Sequence, residues 1–465
     1  MNFRKLLILI KDIVPCVKDG YFVGGCVRDA ILDITNKDID IIVPDLDPER
    51  IECVREKTGK NGFLYKREKV VFTIENSSRR IDISEIQETL EQDLKSRDFT
   101  INAIAVEIKS IIKNKPLIID PLNGLNDIKR KIIKPINENS IKKDPVRILR
   151  GIRIKNKLHF KYDETFKVAS EKYSNLLKKE PVERIREEIV KILKLPASYS
   201  AFHDMKELNV LYVIFPELKK QETIPPSGLH QYPLIIHTLK AVEKVTLLID
   251  EKFTTNIDKN LIKVVKEATY FKEFTGRELL ILTALLHDIG KPFTVKEKNG
   301  KLTFYNHDKI GAYLSQDRLF YLGFGKKVSQ NISKIIKLHL RPFFLYQLYK
   351  NGKLSNRAIV KFIFDSEDLF PYVILHSIAD FCATCEKMEK GVKSYTCFIN
   401  TRLVPFFEKF RNLKPFLSGK DIMNILKVES GKDIGRIKKK LMELQLLGKI
   451  NSREEAEKFI KGFSL

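Results

Sequence analysis

Short apolar segments separated by polar turns dominate the first 135 residues. β-Branched residues are concentrated in "YFV", "DIDIIV", "VVFTIE", "RIDIS" and "INAIAVEI", which have the length and composition typical of strands. An Asn-Gly turn signal in "DPLNGLND" and a last strand-like "KIIKPI" close this part of the chain. The pattern predicts a modest domain in which a small mixed β-sheet packs with helices.

Beyond residue 135 the apolar positions recur at helical spacing and strand signals nearly vanish. A serine before the apolar run and Pro145 early in it predict one capped helix over "SIKKDPVRILRGIRIKNKLHF". Paired prolines in "QETIPPSGLHQYP" indicate a linker. We therefore predict an α+β protein with a sheet-containing head (1–135), a helical neck (136–220), a histidine-rich helical domain (221–395) and a helical tail (396–465).

The amino-acid composition indicates which class of partner the protein binds. The 465 residues carry a formal net charge of +24, which predicts a polyanionic partner, nucleic acid before membrane, unless the lysines only decorate solvated surfaces. The apolar run near the N-terminus is too short to span a bilayer, so we interpret it as a core helix of a soluble protein. Six cysteines at irregular spacings, with no C-x-x-C, predict free thiols in a reducing cytoplasm.

The first candidate functional segment along the sequence is "VGGCVRD". Gly24 and Gly25 lie between a predicted strand and a helix, where backbone N–H groups can approach a phosphate. Arg28 follows in the first turn of that helix and can pair with a phosphate or with a neighbouring carboxylate. By itself this stretch is equally consistent with a phosphate site, a metal site or an ordinary turn.

A pair of carboxylates follows on the next predicted strand. Asp38 and Asp40 are two residues apart, so on a strand both side chains project to the same face. Two carboxylates on one face repel unless a cation lies between them, and Mg²⁺ prefers a few carboxylates together with substrate phosphates. With the glycine turn, this predicts nucleotidyl transfer, in which a hydroxyl attacks the α-phosphate of a bound triphosphate.

The motifs "GGCVRD", "DIDIIV", "SRDFTINAIA", "DPVRILRGIRI" and "ERIREEI", in this order, closely resemble the bacterial and eukaryotic type of tRNA nucleotidyltransferase, the CCA-adding and poly(A) polymerase family. The resemblance covers about residues 20–215. It implies catalysis by Mg²⁺ held on Asp38 and Asp40, with CTP and ATP as substrates and tRNA as acceptor. It also implies that the nucleotide is bound by Gly24, Gly25, Arg28, Asp29, Arg97, Asp98, Asn102, Asp144, Arg147 and Arg150.

Base selection is implied for Asp144 and Arg147, which lie at i and i+3 and would point the same way on a helix. An aspartate accepts from an exocyclic amino group and an arginine donates to ring nitrogen and carbonyl, which fits C and A but not U or G. An intrahelical ion pair at a helix start is the alternative. Arg153 is expected to continue this face, and Glu183, Arg184, Arg186 and Glu187 match a neck motif expected to be scaffolding.

Three features depart from the family pattern. Ser96 stands where the family usually has a first arginine, so one phosphate or sugar contact is expected to be absent, and Lys143 replaces a glutamate of the base-reading motif. Only eight residues separate Ser84 from Asp93, whereas CCA-adding relatives often carry a longer loop there. A shortened loop is a feature of relatives that add only CC. Asp82 is equally a third acidic member of the site or a plain strand aspartate.

The histidine-rich region carries a second set of motifs. "IIHTL", "LLHDIGKP" and "LHSIADFCA" resemble the HD phosphohydrolase superfamily in order and spacing, although a single histidine on an apolar helix is more often a core residue. The resemblance implies a transition-metal site, with Mn, Ni, Co or Fe as the ion, since imidazole and carboxylate ligands suit these metals. The implied ligands are His237, His287, Asp288 and Asp380, with His307 and His339 as candidates for a second metal.

The leading hypothesis is a template-independent tRNA nucleotidyltransferase that adds C, A or both and releases pyrophosphate. The alternatives are CC-only, A-only or poly(A) addition, a phosphohydrolase acting on RNA ends, and a catalytically silent RNA-binding protein. The intact D-x-D pair argues against the last two. The sequence does not determine the oligomeric state.

Overall fold

A computed structural model of the protein describes residues 3–35, 38–66, 70–75, 79–253, 255–271, 274–428 and 431–462. The chain forms two compact units, Met1–Glu188 with Asp204–Ile214, and Ile189–His203 with Phe215–Leu465. The finer division into head, neck, histidine-rich domain and tail stays a prediction. The α+β class is confirmed, since the first unit contains a mixed sheet and the second is almost entirely helical.

The first unit is built on a seven-stranded sheet with strand order β3-β4-β5-β2-β1-β6-β7. Strands β2 and β5 pair in parallel, and the other neighbouring strands are antiparallel. One buried cluster joins Val23, Ile42 and Ala105 of the sheet to Leu94 of helix α5 (Leu90–Lys95). The strands are β1 (Tyr21–Val23), β2 (Asp38–Val43), β3 (Phe63–Lys66), β4 (Val70–Glu75), β5 (Arg80–Glu85), β6 (Ala105–Glu107) and β7 (Ile118–Ile119).

The five predicted strand segments all contribute to this sheet, with two differences. The segment "INAIAVEI" is only partly a strand, because Thr100–Asn102 forms a 3-10 turn before β6 begins. Strands β3 and β7 were not predicted, since one is a four-residue edge strand and the other has only two residues. Lys37, directly before the predicted "DIDIIV" strand, lies outside the described residues.

Helices and a second small pairing complete the first unit. Strands β8 (Ile132–Ile133) and β9 (Lys161–Tyr162) pair in parallel. The helices up to residue 214 are α1 (Arg4–Leu9), α2 (Val14–Val17), α3 (Gly25–Ile31), α4 (Pro48–Thr58), α5 (Leu90–Lys95), α6 (Ile108–Ile112), α7 (Gly124–Arg130), α8 (Glu138–Lys143), α9 (Val146–Leu158), α10 (Glu164–Tyr173), α11 (Val182–Leu193), α12 (Ser198–Glu207) and α13 (Val210–Ile214).

The single capped helix predicted over "SIKKDPVRILRGIRIKNKLHF" is wrong, because the chain breaks into α8 and α9. Asp144 ends α8 with φ −136° and ψ 84°, and Pro145 precedes α9. A proline has no N–H to donate and its ring disfavours helical geometry in the residue before it. The cap of α8 is Asn137, whose side chain accepts from the Ser140 amide.

The prediction that all six cysteines are free thiols is also wrong. Cys16 in α2 and Cys53 in α4 form a disulfide, with a Cα–Cα distance of 5.9 Å. These residues are 37 positions apart, and only the folded chain brings the two helices together. Cys26, Cys382, Cys385 and Cys397 are free.

The second unit is helical apart from two small hairpins. They pair β10 (Thr269–Phe271) with β11 (Phe274–Thr275) and β12 (Lys296–Lys298) with β13 (Lys301–Thr303). The helices are α14 (Leu234–Ile249), α15 (Lys259–Glu267), α16 (Gly276–Leu286), α17 (His307–Tyr321), α18 (Lys326–Leu338), α19 (Arg341–Lys350), α20 (Asn356–Ser366), α21 (Phe370–Thr384), α22 (Glu386–Lys390), α23 (Val392–Phe398), α24 (Val404–Arg411), α25 (Gly419–Leu426), α26 (Lys432–Leu446) and α27 (Arg453–Lys461).

Two features of the second unit bear on the sites described below. Helices α14, α16 and α21 are mostly buried, and each places a histidine in or beside the core. Helices α25, α26 and α27 share a core of their own around Ile422, Leu441 and Ile460. Among the described residues, no helix combines the length and apolar character that a bilayer crossing needs.

Candidate nucleotidyl-transfer and metal sites

The carboxylates predicted for catalysis lie together on the central strands of the sheet. Along β2, Asp38 is exposed and Asp40 is half-buried, whereas Ile39 and Ile41 between and beyond them are buried. The two aspartates therefore share one face, as the alternation predicted. In the parallel register, Asp40 is the partner of Asp82 on β5, so a third carboxylate points to the same face.

Asp82 is nevertheless held by its own neighbours. Its carboxylate accepts from the Thr73 hydroxyl at 2.6 Å and from Nε of Arg80 at 3.0 Å. A carboxylate fixed in this way adds negative charge beside Asp40 while keeping its position. Because carboxylate oxygens are hard ligands, this donor set fits a hard divalent cation.

Gly24 is required by the geometry of the turn before α3. Its φ of 75° and ψ of −141° are disfavoured for residues with a side chain. A Cβ there would also lie 2.7 Å from Nη1 of Arg97 and 3.1 Å from Oδ2 of Asp40. The absence of a side chain therefore lets the Arg97 guanidinium lie over the turn and beside the Asp40 carboxylate.

Arg97 is oriented from its other side by Asp93. Its Nη2 lies 3.1 Å from the Asp93 carboxylate, four residues earlier on α5. Cys26 is buried behind the turn, where its thiol donates to the carbonyl of Val23 at 3.1 Å. Burial, with a smaller contribution from Asp40, raises the pKa of Cys26 to about 12, so this thiol stays neutral.

A buried polar network carries several of the other predicted nucleotide-binding residues. Arg28 is 5% exposed and donates to Asp29 at 2.8 Å and to Oδ1 of Asn102 at 2.6 Å. The contact with Asp29 is with a neighbouring carboxylate, one of the two partners predicted for Arg28. Asn102 in turn donates to Oδ1 of Asp98 at 2.9 Å.

Asp98 is the charged centre of this network. Its second oxygen lies 3.2 Å from Nη1 of Arg150, and its first accepts from the Phe99 amide at 2.8 Å. Burial alone would raise the pKa of Asp98, but the charge of Arg150 and the hydrogen bond from Asn102 outweigh it and hold the pKa below its usual value. Asp98 therefore remains a carboxylate, and Arg150 is engaged in holding it.

The proposed base-reading residues are close together, but not as i and i+3 positions of one helix. Asp144 lies at the break between α8 and α9, and its Oδ2 is 3.5 Å from Nε of Arg147. Arg147 donates to the carbonyls of Arg97 at 2.7 Å and of Ser96 at 3.0 Å. It thereby ties the start of α9 to the segment that carries Arg97.

Sequence reasoning missed the role of Arg184. It was expected to be general scaffolding, but its Nη2 lies 2.9 Å from both carboxylate oxygens of Asp144, and its Nη1 donates to Glu180 at 2.6 Å. Asp144 and Arg184 are 40 residues apart, so no local spacing pointed to the pair. Arg153, expected to continue the Arg147 face, pairs with Glu188 at 2.7 Å.

The second unit brings the predicted metal ligands together in its core. His237, His287 and Asp380 offer ligand atoms within 4.8 Å of one another, and so do Asp288, His307 and His339. Nε2 of His287 lies 3.2 Å from Oδ2 of Asp288, and Nε2 of His307 lies 3.5 Å from Oδ1 of the same residue. Asp288 therefore stands between the two groups.

Backbone carbonyls fix the orientation of the imidazoles. In each case Nδ1 faces a main-chain oxygen, which places the hydrogen on Nδ1 and leaves the Nε2 lone pair for a metal. The Nε2 atoms of His307 and His339 and Oδ1 of Asp288 are buried and have no hydrogen-bond partner among the described residues. Nδ1 contacts Ala383 O for His237, Ala284 O for His287, Phe304 O for His307 and Ile336 O for His339.

Charges around the cluster are balanced by a lysine that sequence reasoning did not single out. Lys291 is 6% exposed, and its Nζ lies 2.7 Å from Oδ2 of Asp288 and 3.1 Å from Nε2 of His230. Burial opposes a charged imidazole, yet Asp288 and Asp380 raise the pKa of His287 to about 10. An imidazole held by two carboxylates in this way fits a divalent cation, whose charge the carboxylates would balance.

Comparisons with known proteins identify domains in both units of the chain. Three family models match: the poly A polymerase head domain at residues 20–87 and 66–134, the probable RNA and SrmB-binding site of polymerase A at 159–222, and the HD domain at 237–369. The second model overlaps the predicted neck, and the third covers four of the clustered histidines.

Curated relatives are named for nucleotide addition to tRNA. The chain is 26% identical to the CC-adding tRNA nucleotidyltransferase of Thermus thermophilus, covering 95% of this chain and 93% of that protein. It is 25% identical to the A-adding tRNA nucleotidyltransferase of Deinococcus radiodurans, covering 96% of each. A CCA-adding enzyme of Lactobacillus delbrueckii is 35% identical over 43% of this chain and 53% of that protein.

Solved structures share the fold. The Thermotoga maritima CCA-adding enzyme, solved in complex with tRNA, aligns with a TM-score of 0.60 at 22% identity, covering 98% of this chain and 94% of that one. A CCA-adding enzyme solved with ATP aligns with a TM-score of 0.63. The chain therefore carries a poly A polymerase head domain and an HD domain, and it is a nucleotidyltransferase.

Proposed function

We propose that this protein adds C, A or both to the 3′ end of tRNA, using CTP and ATP without a nucleic-acid template and releasing pyrophosphate. The observation that carries this proposal is the grouping of Asp38, Asp40 and Asp82 on one face of adjacent strands, beside the Gly24 turn and Arg97. That arrangement suits a triphosphate whose α-phosphorus is attacked by a terminal hydroxyl.

Each part of the first unit has its own task in this proposal. Asp38 and Asp40 would hold Mg²⁺, which when bound supplies positive charge at the phosphates and the attacking oxygen. Backbone N–H groups at the Gly24–Gly25 turn and the Arg97 guanidinium bind phosphate oxygens. Asp98 and Asn102 keep the adjoining segment in place through Arg28 and Arg150, which positions the sugar.

Asp144 and Arg147 are proposed to read the base. Arg147 has five N–H donors and uses two of them in hydrogen bonds to the carbonyls of Ser96 and Arg97. Other N–H groups therefore remain to donate to a base edge. Asp144 keeps unused lone pairs although Arg184 contacts both of its oxygens. Arg184 is proposed as the residue that orients Asp144 toward the base.

We further propose that the protein carries out only part of CCA addition. Between the end of β5 at Glu85 and the start of α5 at Leu90 the structure has only four residues, which leaves little chain for a movable loop. Two relatives that match nearly the whole chain are named CC-adding and A-adding. A cytoplasmic location suits an enzyme that draws on tRNA, CTP and ATP, and it is proposed on that ground.

The test uses three tRNA substrates that end before the CCA sequence, after CC, and after the full CCA. Each is incubated with CTP, with ATP or with both, and the 3′ ends are sequenced. We expect extension by CC without A, or by A on the CC-ended tRNA only. Complete CCA addition would contradict the partial-addition proposal, and long A tails on unrelated RNA would favour poly(A) addition. No extension of any tRNA would refute the function.

We propose a second activity for the HD domain, hydrolysis of phosphoesters at RNA ends with bound transition metals. The observation that favours it is the pair of ligand groups on either side of Asp288. His237, His287 and Asp380 would hold one ion and His307 and His339 the other, with Asp288 shared. Lys291 keeps the Asp288 carboxylate ionised and in place.

Metal content tests this assignment directly. Protein loaded with Mn²⁺ and desalted is expected to hold two ions per chain, and a His307→Ala, His339→Ala variant to hold one. His203→Ala, at an exposed histidine outside the cluster, is the control and should retain two. Equal metal content in all three proteins would refute the two-metal site, and phosphate release from 3′-phosphorylated or 2′,3′-cyclic RNA ends independent of Mn²⁺ would refute the activity.

A further inference from the structure

A surface pocket of about 600 Å³ opens beside the metal cluster of the second unit. One wall is the loop before α14, and the other is the turn after α21 together with the short helix α22. The pocket has the volume of sites that take a ligand of drug size, a range that includes a single nucleotide. Its lining includes Leu229, His230, Gln231, Cys385, Lys387 and Lys390.

Hydrogen bonds join the two walls of the pocket. The Gln231 amide donates to the carbonyl of Thr384 at 3.0 Å, and the Glu386 amide donates to Oε1 of Gln231 at 3.5 Å. The second wall also orients a proposed metal ligand, because the carbonyl of Ala383 lies 3.3 Å from Nδ1 of His237. The pocket is therefore formed before a ligand enters, which reduces the entropy that binding costs.

His230 connects the pocket to the metal cluster. Its ring lies against that of His237, with centroids 4.5 Å apart, and its Nε2 lies 3.1 Å from Nζ of Lys291. Lys291 in turn contacts Oδ2 of Asp288 at 2.7 Å. Nδ1 of His230 is buried and has no hydrogen-bond partner among the described residues. A ligand in the pocket is therefore one side chain away from two of the proposed metal ligands.

The charges at the mouth of the pocket favour an anionic ligand. Lys387 and Lys390 are exposed and lie one turn apart on α22, against one exposed carboxylate, Glu386. The other acidic residue of α22, Glu389, is paired with Lys244. Lysine side chains bind phosphates as point charges, and phosphates supply much of the affinity of proteins for nucleic acid.

We propose that this pocket binds the last nucleotide of an RNA strand, with the phosphate at the strand end directed toward His230 and the metal cluster. The proposal rests on the phosphohydrolase activity proposed above and names its substrate class as an RNA strand. Lys387 and Lys390 bind the phosphate that links the last nucleotide to the strand, and Leu229, 60% exposed, packs against its base.

Cysteine alkylation tests occupancy of the pocket without measuring any activity. Cys385 lines the pocket, whereas Cys397 is exposed on α23 and serves as the internal control. The full chain loaded with Mn²⁺ is treated with iodoacetamide, and labelling of each cysteine is followed by mass spectrometry. The probe is an RNA tetranucleotide ending in a 3′-methylenephosphonate, whose P–C bond resists hydrolysis.

At ten times the dissociation constant of this RNA, labelling of Cys385 should slow about tenfold, and labelling of Cys397 should not change. Labelling of Cys385 at the same rate with and without saturating RNA would refute the proposal. Inorganic phosphate that protects Cys385 as well as the RNA does would make the pocket a simple anion site and would also overturn it. Protection by RNA without release of phosphate from 3′-phosphorylated RNA would support the pocket and refute the activity alone.

The two lysines are tested by a Lys387→Gln, Lys390→Gln variant. The RNA concentration that gives half protection of Cys385 should rise about tenfold, because hydrogen bonds to a charged phosphate are lost, and the Mn²⁺ content should not change. The matched control is Lys353→Gln, Lys361→Gln, which removes the same charge at exposed positions of the same unit. An equal rise in both double variants would show that only net charge matters and would refute the assignment of Lys387 and Lys390.

Discussion

Replacing Gly24 by alanine tests whether the glycine turn positions the catalytic groups. The residue has φ 75° and ψ −141°, a conformation that costs a residue with a side chain about 1 to 3 kcal/mol. The new Cβ would lie 2.7 Å from Nη1 of Arg97, whereas an ordinary contact begins at 3.4 Å. Arg97 must therefore retreat by about 0.7 Å, or the turn must move away from Asp40.

A misplacement approaching 1 Å at a reacting centre can cost about a hundredfold in rate. We therefore expect Gly24→Ala to lower kcat/KM for nucleotide addition by about ten- to a hundredfold, and the free energy of unfolding by about 1 to 3 kcal/mol. The assay is single-turnover addition of CTP or ATP to a tRNA lacking its end, combined with urea unfolding monitored by circular dichroism.

Gly59→Ala separates backbone strain from displacement of the site. Gly59 ends α4 with φ 63°, and no atom of the described residues lies within 4 Å of the position that its Cβ would take. It should lose about 1 kcal/mol of stability and keep full activity. The reasoning fails if Gly24→Ala adds nucleotides at the wild-type rate, or if Gly59→Ala loses as much activity as Gly24→Ala.

Three further predictions follow from the described contacts. Arg184→Met removes the hydrogen bonds that hold the Asp144 carboxylate, which are worth about 1.5 to 3 kcal/mol for a charged group. This variant should therefore discriminate against UTP about tenfold less well than the wild type. Unchanged discrimination in competition assays would contradict the positioning role of Arg184. The pKa of Asp98 is lowered in the folded protein, so its ionised form stabilises the fold above pH 3.8, and this contribution is lost as the pH falls through the folded-state pKa. The difference in unfolding free energy between wild type and Asp98→Asn should therefore be constant from pH 5 to 7 and shrink below about pH 4. A difference that stays constant at low pH would refute this role of Asp98. Removing the disulfide with Cys16→Ser and Cys53→Ser should lower the free energy of unfolding by about 4 kcal/mol, because the bond closes a loop of 37 residues. A reductant should destabilise the wild type but not the double variant. Equal sensitivity of the two proteins to the reductant would show that the bond does not stabilise the fold.

The sequence predicted what depends on local periodicity. Alternation along "DIDIIV" was sufficient to place Asp38 and Asp40 on one face, because side chains two apart on a strand share a face whatever the rest of the chain does. The metal cluster was predicted from the resemblance to the HD superfamily, and the structure groups those residues.

What could not be predicted depends on contacts between distant segments or on local backbone competition. The Asp144–Arg184 pair spans 40 residues and the Cys16–Cys53 bond spans 37, and neither has a spacing signature. The helix breaks at Asp144 because Pro145 disfavours helical geometry in the residue before it. The sequence alone did not show this, because a proline is also common in the first turn of a continuous helix. That break gives Asp144 the position from which it meets Arg184.

The central claim is that Asp38 and Asp40 support nucleotide addition to tRNA. The most direct measurement is the 3′-end sequence of tRNA incubated with CTP, ATP and Mg²⁺ and either the wild type or an Asp40→Asn variant. Asn keeps the shape of the side chain and removes its charge, and folding of the variant is checked by its unfolding curve. The account predicts added C or A with the wild type and addition slower by about a hundred- to a thousandfold with a folded Asp40→Asn protein. Addition at comparable rates by the two proteins would contradict it.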